Sequence, residues 1–291
     1  MRNLFVILLL CSISASAQTK SITLEDIYKK GTFRGDFINA RFDTTKKEVN
    51  WQWNRYKDQF GKKINRADQV VTSTIKSQYH LVKSNTESIY RRSTKAVIHL
   101  LITSDKDTQL IRLKGTVAGG GEQEDPKFLH AEFSPTGEYI SYVYQNNIYL
   151  YNITSGAYTA VTKDGKWNEV INGNCDWVYE EEFSMSKGFE WSPSGRYIAY
   201  YKFDESNVKE FNLTYYGDLY PKEEKYKYPK AGEENSKVEI YAYDVSSKQN
   251  TLLNTGKDRE YIPRIKWTNN AGILSVQTLN RHQNHLELLF I

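Results

Sequence analysis

Cysteine is almost absent, with two in 291 residues, at positions 11 and 175. A disulfide framework is therefore excluded as the source of stability. Charge of one sign is barely in excess, Lys+Arg 39 against Asp+Glu 35, and no dense basic stripe appears. A net +4 over this length is not the footprint of a nucleic-acid binder. Long apolar runs are missing after the first residues, and none approaches the ~18 apolar residues that a membrane helix needs. Proline is scarce, at 6 residues, which argues against a disordered linker. The five histidines, His80, His99, His130, His282 and His285, stand in no His-Glu-x-x-His or Cys-x-x-Cys setting, so no metal or other cofactor is expected. Gly119-Gly120-Gly121 lacks the Lys-Ser/Thr of a phosphate loop and reads as a flexible connection. What is plentiful is aromatic, 14% of residues with 22 Tyr, a composition that favours strands in a globular chain.

The amino terminus reads as a processing segment. Arg2 precedes the apolar run from Leu4 to Leu10 and the small-residue site Ala15-Ser16-Ala17, the pattern of a secretory signal peptide cleaved before Gln18. A lipoprotein reading of Cys11 needs a small residue before it, and Leu10 is not small. Removing residues 1–17 takes Arg2 and Cys11 from the 291 residues and leaves 274, a net charge of +3 and one cysteine. Cys175 then has no partner for an internal disulfide. A sizeable exported chain without disulfides is expected to rely on its hydrophobic core and to be bacterial, periplasmic or secreted, from a Gram-negative cell.

The chain repeats itself. Phe133-Ser134-Pro135-Thr136-Gly137-Glu138-Tyr139-Ile140 is matched by Trp191-Ser192-Pro193-Ser194-Gly195-Arg196-Tyr197-Ile198, and Ile265-Lys266-Trp267-Thr268-Asn269-Asn270 is a worn third copy. In each, an aromatic ends one strand, a turn follows, and a β-rich stretch begins the next strand. Downstream, Ile148 to Gly156 resembles Ile240 to Ser247 and also Ile98 to Ser104, and each is followed by a short strand. The unit is a four-stranded antiparallel meander, with Ile102, Ile153 and Val245 marking one place in it at spacings of 51 and 92. Most of the excess in the longer spacing lies in an insertion from about Asp204 to Lys237. Units of ~40 to 50 residues with four strands each indicate propeller blades, and a β-sandwich is the alternative. At ~50 residues per blade, residues 18–291 hold about five. The chain stops inside the apolar run Leu286 to Ile291, a strand awaiting a neighbour, so the domain is expected to be truncated at its C-terminus.

The densest constellation of chemistry is Asn172 to Phe183, with Glu180-Glu181-Glu182 beside Trp177, Tyr179 and Phe183. Three carboxylates could bind an ammonium, since carboxylates only accept and an ammonium only donates. Adjacent side chains of a strand point to opposite faces. Two neighbouring carboxylates can therefore share one cation only if this segment is helical or sharply turned. A solvated acidic face is the plainer reading.

Asp176-Trp177-Val178-Tyr179-Glu180-Glu181-Glu182, then Trp191-Ser192-Pro193, then Phe203-Asp204-Glu205-Ser206-Asn207-Val208 and Tyr228-Pro229-Lys230-Ala231-Gly232 together resemble the propeller domain of the dipeptidyl peptidase IV family. That family comprises serine exopeptidases of the prolyl oligopeptidase clan. The resemblance implies an all-β fold, a partial β-propeller with about five of the family's eight blades, and a short helix carrying the double glutamate. By this likeness Glu181 and Glu182 grip the substrate's free N-terminal ammonium, Glu180 being less directly involved. A propeller arginine holds the peptide carbonyl, and Tyr90-Arg91-Arg92-Ser93 places that role on Arg91, with Arg92 the alternative where the family often has histidine. The Tyr-rich insertion resembles the arm, about residues 211–237, that helps build the family's homodimer. The partners implied are peptides with a free amino terminus. The activity implied is removal of X-Pro or X-Ala dipeptides, with a prolyl tripeptidyl peptidase relative, or a non-enzymatic exported propeller that binds peptides or a protein partner, as alternatives.

The clan's serine sits in a Gly-x-Ser-x-Gly elbow. None occurs in these 291 residues, so no catalytic residue is assigned. The triad is expected C-terminal to Ile291, and residues 18–291 alone are expected to be inactive.

Overall fold

The computed structural model describes residues 57–291 apart from 60, 65, 105–107, 116–124, 258 and 271. The expected signal peptide and the Gly119–Gly121 connection lie outside the described residues. The first sheet is a meander of β1 (Gln69–Thr72), β2 (Tyr79–Ser88), β3 (Thr94–Thr103) and β4 (Thr108–Arg112), in the order β1-β2-β3-β4. The second repeats it with β5 (Leu129–Phe133), β6 (Tyr139–Tyr144), β7 (Asn147–Asn152) and β8 (Tyr158–Ala160). The third contains β9 (Val170–Asn174), a short helix α1 (Trp177–Glu181), β10 (Lys187–Trp191) and β11 (Tyr197–Asp204). A separate hairpin, β12 (Glu210–Tyr215) with β13 (Lys222–Lys227), interrupts it before β14 (Lys237–Asp244) and β15 (Gln249–Leu252) complete the order β10-β9-β11-β14-β15. A three-stranded sheet of β16 (Tyr261–Trp267), β17 (Leu274–Leu279) and β18 (Leu286–Phe290) follows. The described residues are nearly all β and antiparallel, as expected, and hold four of these sheets.

The repeated turns have a repeated cause. In the second sheet the Ser134 N–H donates to Tyr139 O at 2.8 Å, the Gly137 N–H donates to Ser134 O at 2.9 Å, and Ser134 Oγ accepts the Tyr139 N–H. Ser192, Gly195 and Tyr197 make the same three bonds in the third sheet. Both glycines have positive φ, 67° and 71°, which an L side chain adopts at a cost. A further copy joins β1 to β2, where the Ser73 N–H donates to Tyr79 O at 2.9 Å. It has neither the aromatic nor the Pro and Gly that reveal the other turns, and the sequence reading missed it. The equivalence of Ile102, Ile153 and Val245 also needs a correction of one residue. The Ile153 N–H donates to Glu138 O and the Val245 N–H to Arg196 O, each just before the tyrosine that opens the middle strand. In the first sheet the corresponding donor is Thr103, to Gln78 O, because Tyr79 faces Ile102 as Tyr139 faces Asn152 and Tyr197 faces Asp244.

Strand periodicity explains how the sheets stack. Along β6, Ile140, Tyr142 and Tyr144 pack into a core shared with Leu81, Leu100 and Phe128, whereas Val143 joins a second core with Phe189, Trp191 and Tyr200. Along β11, Ile198 and Tyr200 enter that second core, while Ala199, Tyr201 and Phe203 enter a third with Ile262 and Val276. Alternate residues thus bury both faces of each inner sheet, as in adjacent propeller blades. Tryptophans fasten neighbouring sheets. Trp191 Nε1–H donates to Ser141 Oγ and Trp267 Nε1–H to Glu190 O, each at 2.9 Å.

The third sheet differs at one edge. β9 pairs with residues 202–204 of β11 and β10 with residues 198–200, so the two lie end to end along one edge. Between them the chain leaves and returns through a neck where Asn174 faces Lys187 and Gly173 faces Gly188. Glycine is required there: a Cβ on Gly173 would lie 2.4 Å from Ile148 Cγ1, and one on Gly188 would lie 2.7 Å from Asn174 O. The excursion held out by this neck carries α1.

Candidate functional site at the helix excursion

A five-residue helix is too short to persist by itself, and α1 is secured from several directions. Asp176 is its N-cap, accepting the Tyr179 N–H at 2.9 Å through one oxygen and the Ser236 hydroxyl at 2.6 Å through the other. Burial pushes the Asp176 carboxyl above its ordinary range, and those two donors oppose the shift. The buried Tyr179 packs against Phe183 and Phe203, and its hydroxyl oxygen accepts the Ile262 N–H at 2.7 Å. Arg264 reaches back from β16 to donate to Phe183 O at 2.8 Å. The condition set by the adjacent carboxylates is met: Glu181 ends the helix, and Glu182 is its C-cap in helical geometry.

The structure brings Glu181 and Arg91 together, with Arg91 Nε 3.2 Å from Glu181 Oε2. The arginine side chain is 72% exposed and that of Glu181 only 15%, so the guanidinium lies over the carboxylate on the solvent side. Glu182 is exposed, and its N–H closes the helix on Val178 O at 2.8 Å. The Arg92 side chain is also exposed, and it is the Arg92 amide that is engaged. That amide and the Ser93 N–H both donate to Glu180 Oε1, at 2.7 Å each. Glu180 is fully buried, and its other carboxylate oxygen has no hydrogen-bond partner. The sequence reading made Glu180 the peripheral member of the triplet. The structure makes it the link between the helix and the Arg91 loop.

An aromatic wall flanks the pair. The Trp177 and Tyr228 rings lie 4.2 Å apart, Tyr90 lies 6.0 Å from Tyr226, and Phe211 lies 5.3 Å from Tyr228. Beside it is a cavity of about 640 Å³, lined in part by Tyr90, Trp167, Asp176, Trp177, Glu205 and Lys227. Glu205 is 6% exposed, and its carboxyl is pushed up to about 7 by burial and by the neighbouring Asp176, with Lys227 opposing. It escaped the sequence reading as a site residue. The period of β11 could have revealed it, because Phe203 is buried, Asp204 is exposed and Glu205 returns to the buried face.

With this geometry in view, the comparisons agree with one another. The family model for the dipeptidyl peptidase IV (DPP IV) N-terminal region matches residues 75–291. Dipeptidyl aminopeptidase B of Saccharomyces cerevisiae is 39% identical over 171 residues, which cover 55% of this chain and 21% of that protein. Inactive dipeptidyl peptidase 10 of Rattus norvegicus is 35% identical over 170 residues, covering 56% and 21%. The crystal structure of Porphyromonas gingivalis dipeptidyl peptidase 4 superposes with a TM-score of 0.70 at 35% identity, covering 78% of this chain and 31% of that one. The chain thus spans only about a fifth of the length of the curated relatives it matches.

Proposed function

The chain belongs to the dipeptidyl peptidase IV N-terminal region family, and from that premise we propose that it is the substrate-gripping propeller part of a serine-type dipeptidyl peptidase that removes N-terminal X-Pro or X-Ala dipeptides. The observation that carries this reading is the placement of Glu181 at the end of α1, beside Arg91 and directly before Glu182. In this reading Glu181 and Glu182 accept hydrogen bonds from the substrate ammonium, and Arg91 turns its planar donors to the first peptide carbonyl. The pair is open to solvent on its arginine side, and an ion pair at the surface contributes only ~0 to 1 kcal/mol, so turning Arg91 away from Glu181 costs little. A hydrogen bond to a charged group contributes ~1.5 to 3 kcal/mol when desolvated. Holding the amine at a fixed distance from a nucleophile would count two residues before the cut. The consecutive pair Glu181-Glu182 favours this over the tripeptidyl alternative. No Gly-x-Ser-x-Gly elbow occurs in these residues, so gripping and cleavage are assigned to different domains. The likeness to a relative named inactive favours, as a second reading, a propeller that binds peptides without cutting them. Export through residues 1–17 to the periplasm or exterior, and a homodimer contact through the arm, complete the proposal.

The test is binding of the tripeptide Ala-Pro-Ala to the purified chain, compared with its N-acetylated form by calorimetry. The free amine is expected to bind at least tenfold more tightly, and Glu181→Gln with Glu182→Gln to abolish the preference. Equal affinities in the wild-type chain would overturn the ammonium clamp. The same preparation is expected to release no chromophore from a Gly-Pro conjugate. Release would overturn the division of labour.

A further inference from the structure

The two elements that carry Glu181 and Arg91 are far apart in sequence, and the structure shows a third element in contact with both. The hairpin arm β12–β13 is exposed along most of its length, with Tyr215, Tyr216 and Tyr220 48%, 81% and 80% exposed. Its half-buried aromatics are Phe211, Tyr226 and Tyr228, all near its base. Tyr228 packs on Trp177, the first residue of α1. Tyr226 packs on Tyr90, the residue before Arg91. Phe211 touches both arm tyrosines, 6.3 Å from Tyr226 and 5.3 Å from Tyr228. The base of the arm is closed by bonds from its second strand to the residues that lead into β12. Lys227 Nζ donates to Val208 O at 2.7 Å, and the Tyr228 N–H donates to Lys209 O at 3.0 Å.

We infer that the arm is the positioning element of the clamp, setting the separation of Arg91 from Glu181 through Tyr226 and Tyr228. An isolated two-stranded hairpin is marginal in water, so the arm depends on its aromatic contacts, and those contacts constrain both partners equally. The Arg91 loop is held from two sides, by Tyr226 on the Tyr90 ring and by Glu180 on the Arg92 and Ser93 amides. The helix is likewise held at its start by Tyr228 and by its Asp176 cap. Removing the arm's aromatic contacts leaves loop and helix joined by the Glu180 bonds and the solvent-facing Arg91–Glu181 pair, about which the loop can pivot. Arg91 and Glu181 then keep their chemistry and lose their register.

This inference rests on the clamp reading for its functional consequence, but its structural content can be tested alone. Amide hydrogen exchange in the full chain reads the Arg92 and Ser93 N–H groups directly. Tyr228→Ala is expected to raise their exchange at least tenfold, whereas Tyr228→Phe, which keeps the ring, and Tyr216→Ala at the exposed tip leave it unchanged. No change in Tyr228→Ala overturns the inference whatever the chain binds. An equal rise at core amides such as those of Ile98 and Ile198 shows a general loosening of the fold and overturns it as well. In the calorimetric comparison, Tyr228→Ala is expected to lose most of the free-amine preference and Tyr228→Phe to keep it. If the wild-type chain shows no preference, the clamp reading fails while the exchange result still decides the arm's role. A wild-type preference that persists in Tyr228→Ala removes the arm and leaves the clamp standing.

Discussion

Of three carboxylates at the candidate site, Glu180 and Glu205 are hidden from solvent, and the sequence singles out only Glu181 as a candidate ligand. Glu181 was legible because its motif runs without a break from Asp176 to Glu182 and a cation 90 residues away completes the pair. Glu180 was not, because it binds backbone N–H groups, and every residue except proline carries one. Glu205 has a consequence that can be measured. In the unfolded chain this glutamate releases its proton near 4.5, whereas in the folded chain burial holds the proton up to about 7. Between those values the folded state binds more protons, so stability falls as pH rises through this window and is flat above it. The full shift corresponds to roughly 3 kcal/mol as an upper figure. Glu205→Gln cannot ionise and escapes the loss. Urea midpoints at pH 5 and pH 8 should therefore show the variant gaining on the wild type by up to that amount at the higher pH. Parallel pH profiles for the two proteins would show that Glu205 is not the buried acid described.

At the scale of elements, legibility followed turn chemistry. The Pro-Gly turns after Phe133 and Trp191 announced the repeat, and the turn from Ser73 to Tyr79 made the same backbone bond with none of those residues. The hairpin in the insertion was readable from its alternating charges, but the end-to-end arrangement of β9 and β10 was not. It depends on the neck at Gly173 and Gly188, whose requirement for glycine comes from side chains and backbone elsewhere in the chain. The two ends of the arm differ: its base packs on Trp177 and Tyr90, and its tip presents Tyr216, Leu219 and Tyr220, each at least 80% exposed. Exposed aromatics interleaved with charge suit an interface. Replacing Tyr216 and Tyr220 with serine in a protein that contains this arm and dimerises is expected to lower the sedimentation coefficient toward that of the monomer. Because the base is untouched, exchange at Arg92 and Ser93 should stay as in the wild type. An unchanged sedimentation profile removes the dimer role from the tip.

At the scale of the molecule, the described residues form three cores, each trapped between successive sheets and built from alternate residues of shared strands. A sheet inside the stack is covered on both faces, whereas an edge strand offers unpaired backbone groups. β18 hydrogen-bonds to β17 and, among the described residues, to no other strand. Its Leu286, Leu288 and Phe290 share one face by the strand period and are 57%, 51% and 64% exposed. A row of apolar side chains on an open edge is a template for pairing with another chain. The purified 291-residue chain is therefore expected to self-associate as concentration rises from micromolar to about 100 μM, with scattering that grows over hours, because edge pairing need not close on itself. Leu288→Lys places a charge in that row and is expected to suppress the growth. Association through the arm tip would instead stop at a dimer and respond to Tyr216 and Tyr220 but not to Leu288. Scattering that remains flat with concentration in the wild-type chain would show that the β18 edge is not adhesive. Growth unaffected by Leu288→Lys would place the adhesive surface elsewhere.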